Sequence, residues 1–258
     1  MTVSDLPAMP LLVARGVTKR FGAVEALVDV DFDVDANEVV ALVGDNGAGK
    51  STLIKAIAGV QPADAGDYWI DGKPVKLRSP SEASRAGIAT VYQDLALCDN
   101  LDVVGNLYLG SEVIAPWLRT LDETAMERRT SEVLAALAVT TLASPRARVG
   151  SLSGGQRQAV AIARSLVTHP RVLILDEPTA ALGVVQTAQV LDLIEHLRDQ
   201  GLAIVVISHN LDNVFHVADR ISVLRLGQHV GTYDRRSTAR EEIVAAITGA
   251  SPGRAVAA

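Results

Sequence analysis

The apolar residues of this chain keep two rhythms, and the switch between them predicts the elements. "LLVARGVTKRF" opens as a strand-like apolar run. "LVDVDFDV" alternates, with Val28, Val30, Phe32 and Val34 on one face and aspartates on the other, the pattern of a half-exposed antiparallel strand. "EVVALVG" stops alternating after its first residue and reads as a strand buried on both faces. It runs into "DNGAGKSTLIKAIAG", where Leu53, Ile54 and Ile57 make a helical stripe and Gly59 a stop. "GDYWIDGKPV" is a hairpin with "DG" at its turn.

From about residue 94 the period becomes helical. A capping box from Thr120 to Glu123 introduces a helix with Met126, Val133, Leu134 and Leu137 on its apolar side. A second helix follows "SLSGG", carried by Val160, Ile162, Ala163, Leu166 and Val167. The stretch 94–168 therefore reads as a mostly helical insertion. Buried strands return in "RVLILD", "LAIVVIS" and "RISVLRL", separated by helices at "TAQVLDLIEHLRDQG" and "LDNVFHVA". Strands alternating with helices in this way specify an α/β fold with a parallel sheet. "TAREEIVAAITG" is a last helix with a capping box from Thr238 to Glu241, and 250–258 is a loose tail after a single domain spanning 9–249. No internal repeat is present.

Composition narrows the function classes. The single cysteine, Cys98, excludes an internal disulfide and a multi-cysteine zinc site. A net charge of -6 gives no general attraction to nucleic acid, and three Phe, two Trp and four Tyr in 258 residues are too few for a base-stacking platform. The first residues lack the basic region and apolar core of a secretory signal. No apolar run approaches the ~20 residues of a membrane span, so any role at a membrane requires docking onto another protein. Histidines 169, 196, 216 and 229 form no compact ligand motif in the sequence and read as structural or surface residues.

The candidate chemistry begins at "GDNGAGKS", which meets the G-x-x-x-x-G-K-[ST] pattern with a buried strand before it and a helix after. Its glycines let successive N–H groups face phosphate oxygens, and the helix N-terminus adds partial positive charge. Lys50 is placed for the β- and γ-phosphates and Ser51 for Mg²⁺. In "RVLILDE" four apolar residues carry Asp176 to a strand's C-terminal end, where it can hold the Mg²⁺ shell. Glu177 follows as the candidate base for a water attacking the γ-phosphate. No N-K-x-D run is present, which favours ATP over GTP. Ser153 and two glycines at a helix start form a second anion-binding end, so one nucleotide can touch both elements. Gln93 follows a strand where the helical insertion begins and can link the site to that lobe, and His209 follows another buried strand and could meet the γ-phosphate.

In their order and spacing, "GDNGAGKST", "YQD", "LSGGQ", "LILDEPT" and "SHN" resemble an ABC transporter nucleotide-binding subunit over nearly the whole chain. "VYQDLALCDNLDVVGNLYLG" and "DEPTAALGVVQTAQV" resemble its bacterial monosaccharide-importer subgroup (ribose, xylose or fructose type). The resemblance implies a P-loop NTPase fold of the ABC type: a RecA-like core, an antiparallel β subdomain and an inserted helical subdomain. It implies that Phe21 stacks on adenine and that Gly44, Asp45, Asn46, Gly47, Ala48, Gly49, Lys50, Ser51 and Thr52 wrap the phosphates of ATP. It makes Gln93 a sensor of Mg²⁺ and water and His209 the switch histidine. Ser153, Gly154, Gly155 and Gln156 would close over the nucleotide of a second subunit, a homodimer or a separate partner. The helical insertion would face a transmembrane permease at the cytoplasmic side of the bacterial inner membrane, with an extracytoplasmic sugar-binding protein beyond it. Many relatives in that subgroup fuse two nucleotide domains, whereas this sequence has one P-loop and one signature. An ABC ATPase of another transporter class stays open as an alternative. A DNA-repair relative would carry a long coiled coil between P-loop and signature. Here that interval is about 100 residues without sustained heptads. Most relatives have Ser at position 180 and Asp at position 183, where this chain has Ala180 and Gly183.

Overall fold

The computed structural model describes residues 10–115, 120–137 and 144–250. Its centre is the strand β3 (Val39–Val43), all five residues of which are buried. Around it a six-stranded sheet has the order β10-β9-β3-β8-β7-β6. Its other members are β6 (Ile88–Val91), β7 (Val172–Asp176), β8 (Ala203–Ile207), β9 (Arg220–Arg225) and β10 (Gln228–Asp234). All pairings are parallel except the β9–β10 hairpin. A second, four-stranded antiparallel sheet runs β2-β1-β4-β5, built from β1 (Leu12–Phe21), β2 (Val24–Val34), β4 (Ala65–Ile70) and β5 (Lys73–Val75). Helix α1 (Lys50–Ile57) packs between the two sheets, burying Leu53, Ile54 and Ile57 in one apolar cluster with residues from both. Gly59 ends its turn at φ +69, and a Cβ there would lie 2.3 Å from the Ser79 carbonyl oxygen.

Between β6 and β7 the described residues hold three helices, α3 (Val103–Tyr108), α4 (Glu123–Ala136) and α5 (Gly154–Leu166), with one turn of 3₁₀ helix at Val149–Ser151. Their apolar faces share a second core with the other side of the sheet. Helix α6 (Val184–Asp199) lies on that side too, while α7 (Leu211–Val217) and α8 (Arg240–Thr248) cover β9 and β10. The result is the α/β fold with a parallel sheet that the alternation of elements predicts, together with the antiparallel sheet and inserted helices that the resemblance implies. The short helix α2 (Pro80–Arg85) and the strand β10 are additions to the reading from sequence.

Local chemistry differs at several points. On β2 the buried face holds Leu27, Val30, Phe32 and Val34, and Val28 is only half-buried. Asp29 sits at φ 51, and the pairing with β1 shifts register beside it, so a bulge moves the inward position back by one residue. The cap of α4 is Asp122, whose side chain accepts from the Ala125 amide, and not Thr120. An aspartate immediately before the first helical residue outcompetes a threonine two positions further out. Helix α8 starts after Ala239 with no side-chain cap, so Thr238 and Glu241 form no box, and Glu241 and Glu242 face the helix N-terminus as first-turn charges. Helix α6 begins at Val184, three residues before the predicted Thr187, and the tail residues 251–258 lie outside the described residues. His216, which has no compact ligand motif in the sequence, gains two acidic neighbours through folding. Folding brings its ring within 4.8 Å of the carboxylates of Asp192 and Glu195, one ligand atom from each. Exposed groups of this kind are common without an ion, and the three share no residue with the P-loop.

Candidate nucleotide site

Strand register brings the candidate residues to one edge of the parallel sheet. Leu42 of β3 and Asp176 of β7 both pair with Ile207 of β8, and Val91 of β6 pairs with Leu175. Gly44, Glu177, His209 and Gln93 each follow those paired positions by one or two residues. They therefore emerge together at the C-terminal ends of the strands, where open α/β sheets bind ligands.

The loop after β3 is shaped by glycine. Gly44, Gly47 and Gly49 have φ of 154°, 80° and 104°. A Cβ on Gly44 would come 2.2 Å from the Leu224 carbonyl oxygen on β9, and one on Gly49 2.8 Å from that of Ala26. The loop is clamped from outside by the β9–β10 turn: the Gly227 amide donates to the Ala48 carbonyl at 3.0 Å, and the Gly227 carbonyl accepts from Val28 at 2.8 Å. Gly227 was not a candidate from sequence, and its only signal there is a glycine between two apolar runs. Gly49 also occupies the N-cap of α1 and offers no side chain to the first-turn amides. Those amides are the groups an anion would satisfy.

Lys50 is half-buried, and its ammonium donates to the carbonyls of Gly44 at 2.7 Å and Asp45 at 3.0 Å. Burial pulls its pKa down, opposed by the charges of Glu177, Asp45 and Asp176. Asp176 is shifted the other way: burial raises its carboxyl pKa and Glu177 adds to this, against the pull of Lys55 and Lys50. These carboxylates and cations face one another in one partly desolvated place. Ser51 stands exposed at the start of α1, and with Asp176 it supplies oxygen donors of the kind a hard divalent cation prefers. The residues fit both a phosphate chain and Mg²⁺.

Glu177 holds a strained backbone at φ 51, with its amide donating to the Ile207 carbonyl and its carbonyl accepting from Ala180, both at 3.0 Å. Its carboxylate reaches His209, Oε1 to Nδ1, at 2.8 Å. The carboxylate side is largely buried and the imidazole side open, with side-chain exposures of 16% and 74%. Neither position shows this direct pairing in sequence. A cavity of about 480 Å³ opens beside the pair, lined by Thr179, Ala180, Leu182 and Asn213 among others. A second, of about 430 Å³, joins His209 and Ser208 to Gly44, Asp45 and Asn46.

Gln93 is exposed just beyond β6. Its neighbour Tyr92 has its phenol pKa raised by burial and then by the Asp176 charge, which ties this loop electrostatically to the site. Phe21 is 45% exposed at the end of β1, with the Lys19 ammonium 5.6 Å from its ring centre. Ser153 caps α5 and accepts from the Gln156 amide, while the Gln156 side chain accepts from Ser153 in return. This helix end packs against the segment after Glu177: a Cβ on Gly154 would meet Leu182 at 2.9 Å, and one on Gly155 would meet Gln186 at 3.2 Å.

The family model for the ABC transporter matches residues 27–180, from β2 through the loop carrying Glu177. The chain belongs to the ABC transporter family. Its similarity to the fructose import ATP-binding protein FrcA of Rhizobium meliloti is 47% identity over 96% of this chain and 98% of that protein. It is 43% identical to the ribose import ATP-binding protein RbsA 1 of Rubrobacter xylanophilus over 94% of this chain. It spans only about half of that relative, 48% of its length. Among solved structures, a nucleotide-free ATP-binding cassette from an ABC transporter aligns with TM-score 0.79 and 28% identity, covering 93% of this chain and 96% of that one. A dimeric cassette in a post-hydrolysis state bound to ADP and Pi aligns with TM-score 0.72 and 25% identity, covering 88% of this chain and all of that one. This ABC chain is thus an ATP-binding subunit, and among its described residues no helix is long and apolar enough to cross a membrane.

Proposed function

We propose that this chain is the Mg²⁺-dependent, ATP-hydrolysing subunit that powers import of a monosaccharide. Two copies, or this chain and a close partner, would close on ATP against a permease at the cytoplasmic face of the bacterial inner membrane. The observation that carries the ATPase half is the convergence of Lys50, Asp176 and the Glu177–His209 pair at one sheet edge. The likeness to FrcA over almost its full length carries the sugar-import half.

The loop amides from Gly44 to Thr52, with the Lys50 ammonium, would hold the β- and γ-phosphates, and Phe21 would present its exposed ring to adenine. Ser51 and Asp176 would hold Mg²⁺, with Gln93 beside it. The bound cation would neutralise charge on the phosphate oxygens. Glu177 takes a proton from the attacking water as its oxygen bonds to the γ-phosphorus and ADP departs with the bridging oxygen. His209, already bonded to Glu177, fixes the carboxylate's direction and presents its open side to the γ-phosphate. Asp45, Asn46, Gly47, Ala48 and Gly49 shape the cradle. Ser153 to Gln156 would bring a second helix end to the nucleotide of the opposing subunit, making hydrolysis depend on closure. The helical stretch 94–168 would face the permease, and an extracytoplasmic binding protein would deliver the sugar.

Copurification with the permease, followed by ATPase assays with the associated binding protein and a panel of monosaccharides, tests this reading. Stimulation of turnover by a sugar-loaded binding protein is expected. ATP hydrolysis indifferent to the permease and to every sugar, or stimulated by DNA ends, would overturn it.

A further inference from the structure

Arg164 is a cation without a carboxylate. It lies on the inner part of α5, about three turns from Ser153, and is half-buried. Among the described residues no acid comes within ion-pair distance of it. Instead its guanidinium donates to two successive carbonyls, Leu95 at 2.7 Å and Ala96 at 2.8 Å. Burial lowers its pKa, a cost that an arginine carries only where its fork is well used.

The segment it grips is the one that follows Gln93. Ala96 sits at φ 47, a conformation that alanine adopts at a cost, and its amide donates to the Asp94 carboxylate at 3.1 Å. Further along, Asn106 is fully buried. It accepts from the Cys98 amide at 2.7 Å and donates to the Cys98 carbonyl at 3.0 Å. Gln93 thus stands between β6 on one side and, on the other, a loop pinned by the half-buried Arg164 and the buried Asn106. Helix α5 carries both the Ser153 end and one of those pins. A helix moves as a rod, so a shift of its N-terminal end reaches the Leu95–Ala96 carbonyls through Arg164.

We propose that Arg164 is a positioning residue that couples the Ser153–Gln156 helix end to the Gln93 loop, so that nucleotide engagement at one is felt at the other. This rests on the ATPase reading above. Neither a single ammonium nor an amide reproduces the fork across two carbonyls.

The test compares wild type with Arg164→Lys and with Ala96→Gly. The glycine variant relaxes the gripped turn at a position where glycine is favoured, so it keeps the fold. Amide hydrogen exchange is followed in peptides covering 44–52 and 92–98, with and without MgATP, alongside steady-state ATPase kinetics of the complex. In wild type both peptides gain protection. In both variants the 44–52 peptide keeps its gain, whereas the 92–98 peptide loses at least about threefold of its protection. The accompanying kcat falls about tenfold for Arg164→Lys, with KM for ATP nearly unchanged, the signature of misplacement and not of lost binding. Retention of the 92–98 response and of kcat in both variants would overturn the proposal. A wild-type 44–52 peptide that ignores MgATP would instead remove the ATPase reading beneath it. If Arg164→Lys fails to fold, Ala96→Gly decides alone.

Discussion

Replacing Glu177 by Gln is the sharpest test of the catalytic assignment, because the structure separates its chemical role from its structural one. The substitution keeps shape and hydrogen-bond length: an amide oxygen can still accept from the His209 ring across the 2.8 Å now spanned by the carboxylate. It keeps the backbone bonds to Ile207 and Ala180, and at φ 51 glutamine carries the same strain as glutamate. What it removes is a proton acceptor and a negative charge. Loss of general-base catalysis is worth about 10² to 10⁴ in rate, or roughly 3 to 5.5 kcal/mol on the barrier. The lost charge acts in the opposite sense on binding. Glu177 now opposes any incoming anion, and its charge adds to the burial that raises the Asp176 carboxyl pKa. Its neutralisation should leave the ATP affinity equal or slightly higher. Phosphate release under saturating MgATP, nucleotide binding at equilibrium and thermal unfolding together read all three terms. The expected result is a fall in kcat of at least about a hundredfold, unchanged or tighter binding, and an unchanged Tm. Turnover within about tenfold of wild type would take Glu177 out of the base role.

Gly44→Ala would place a Cβ 2.2 Å from the Leu224 carbonyl oxygen at φ 154°, so it should abolish ATP binding, measured directly, and destabilise the chain by more than about 2 kcal/mol. Tyr68→Phe should stabilise the protein by about 1 kcal/mol in denaturant titration, because the buried Tyr68 hydroxyl has no partner among the described residues. Burial pushes that phenol up to about 12 from 10.0, so its contribution is intact below pH 10 and is lost as the pH rises through 12. The Phe variant should therefore gain further on wild type across that window. Gly183→Asp has room, since a Cβ there meets only the Gln186 oxygen at 3.6 Å. It adds an N-cap side chain that α6 lacks. Stability should rise by a few tenths of a kcal/mol, with ATP affinity constant and the ATP-to-transport ratio altered in the reconstituted complex.

Most of the parallel sheet was legible because its strands carry unbroken apolar runs ending in chemistry: β3 into Gly44, β7 into Asp176 and β8 into Ser208 and His209. The run length sets burial, and the break in it sets the site. What sequence concealed depends on contacts between distant segments. The bulge at Asp29 exchanges Val28 for Leu27 because strand alternation cannot register one extra residue. The caps at Thr120 and Thr238 failed because nearer residues decide where each helix begins. Strand β10 alternates weakly, with Gly231 in its middle, and its turn residue Gly227 matters only through its bonds to Ala48 and Val28. The approach of Asp192 and Glu195 to His216 joins two helices and has no spacing to betray it.

The stretch from Asp176 to Gly183 shows what replaces lost polar side chains. With Ala180 and Gly183, the loop has no carboxylate beyond Glu177, yet it is ordered by its backbone. Glu177 and Ala181 both take positive φ, and the Ala180 amide closes onto the Glu177 carbonyl. Gln186 supplies the missing cap from inside the helix by accepting from the Gly183 amide at 3.1 Å. The stem of that same Gln186 lies where a Cβ on Gly155 would intrude, and Leu182 lies where one on Gly154 would. The two glycines of "LSGGQ" therefore have a packing duty in addition to any duty toward phosphate, which is to let the loop after the Glu177 carboxylate rest directly on helix α5. Substituting alanine at either would push Leu182 or Gln186 outward and move the Glu177 loop with it. A defect in turnover from such a variant would then reach the carboxylate within the same chain, before any partner subunit is involved.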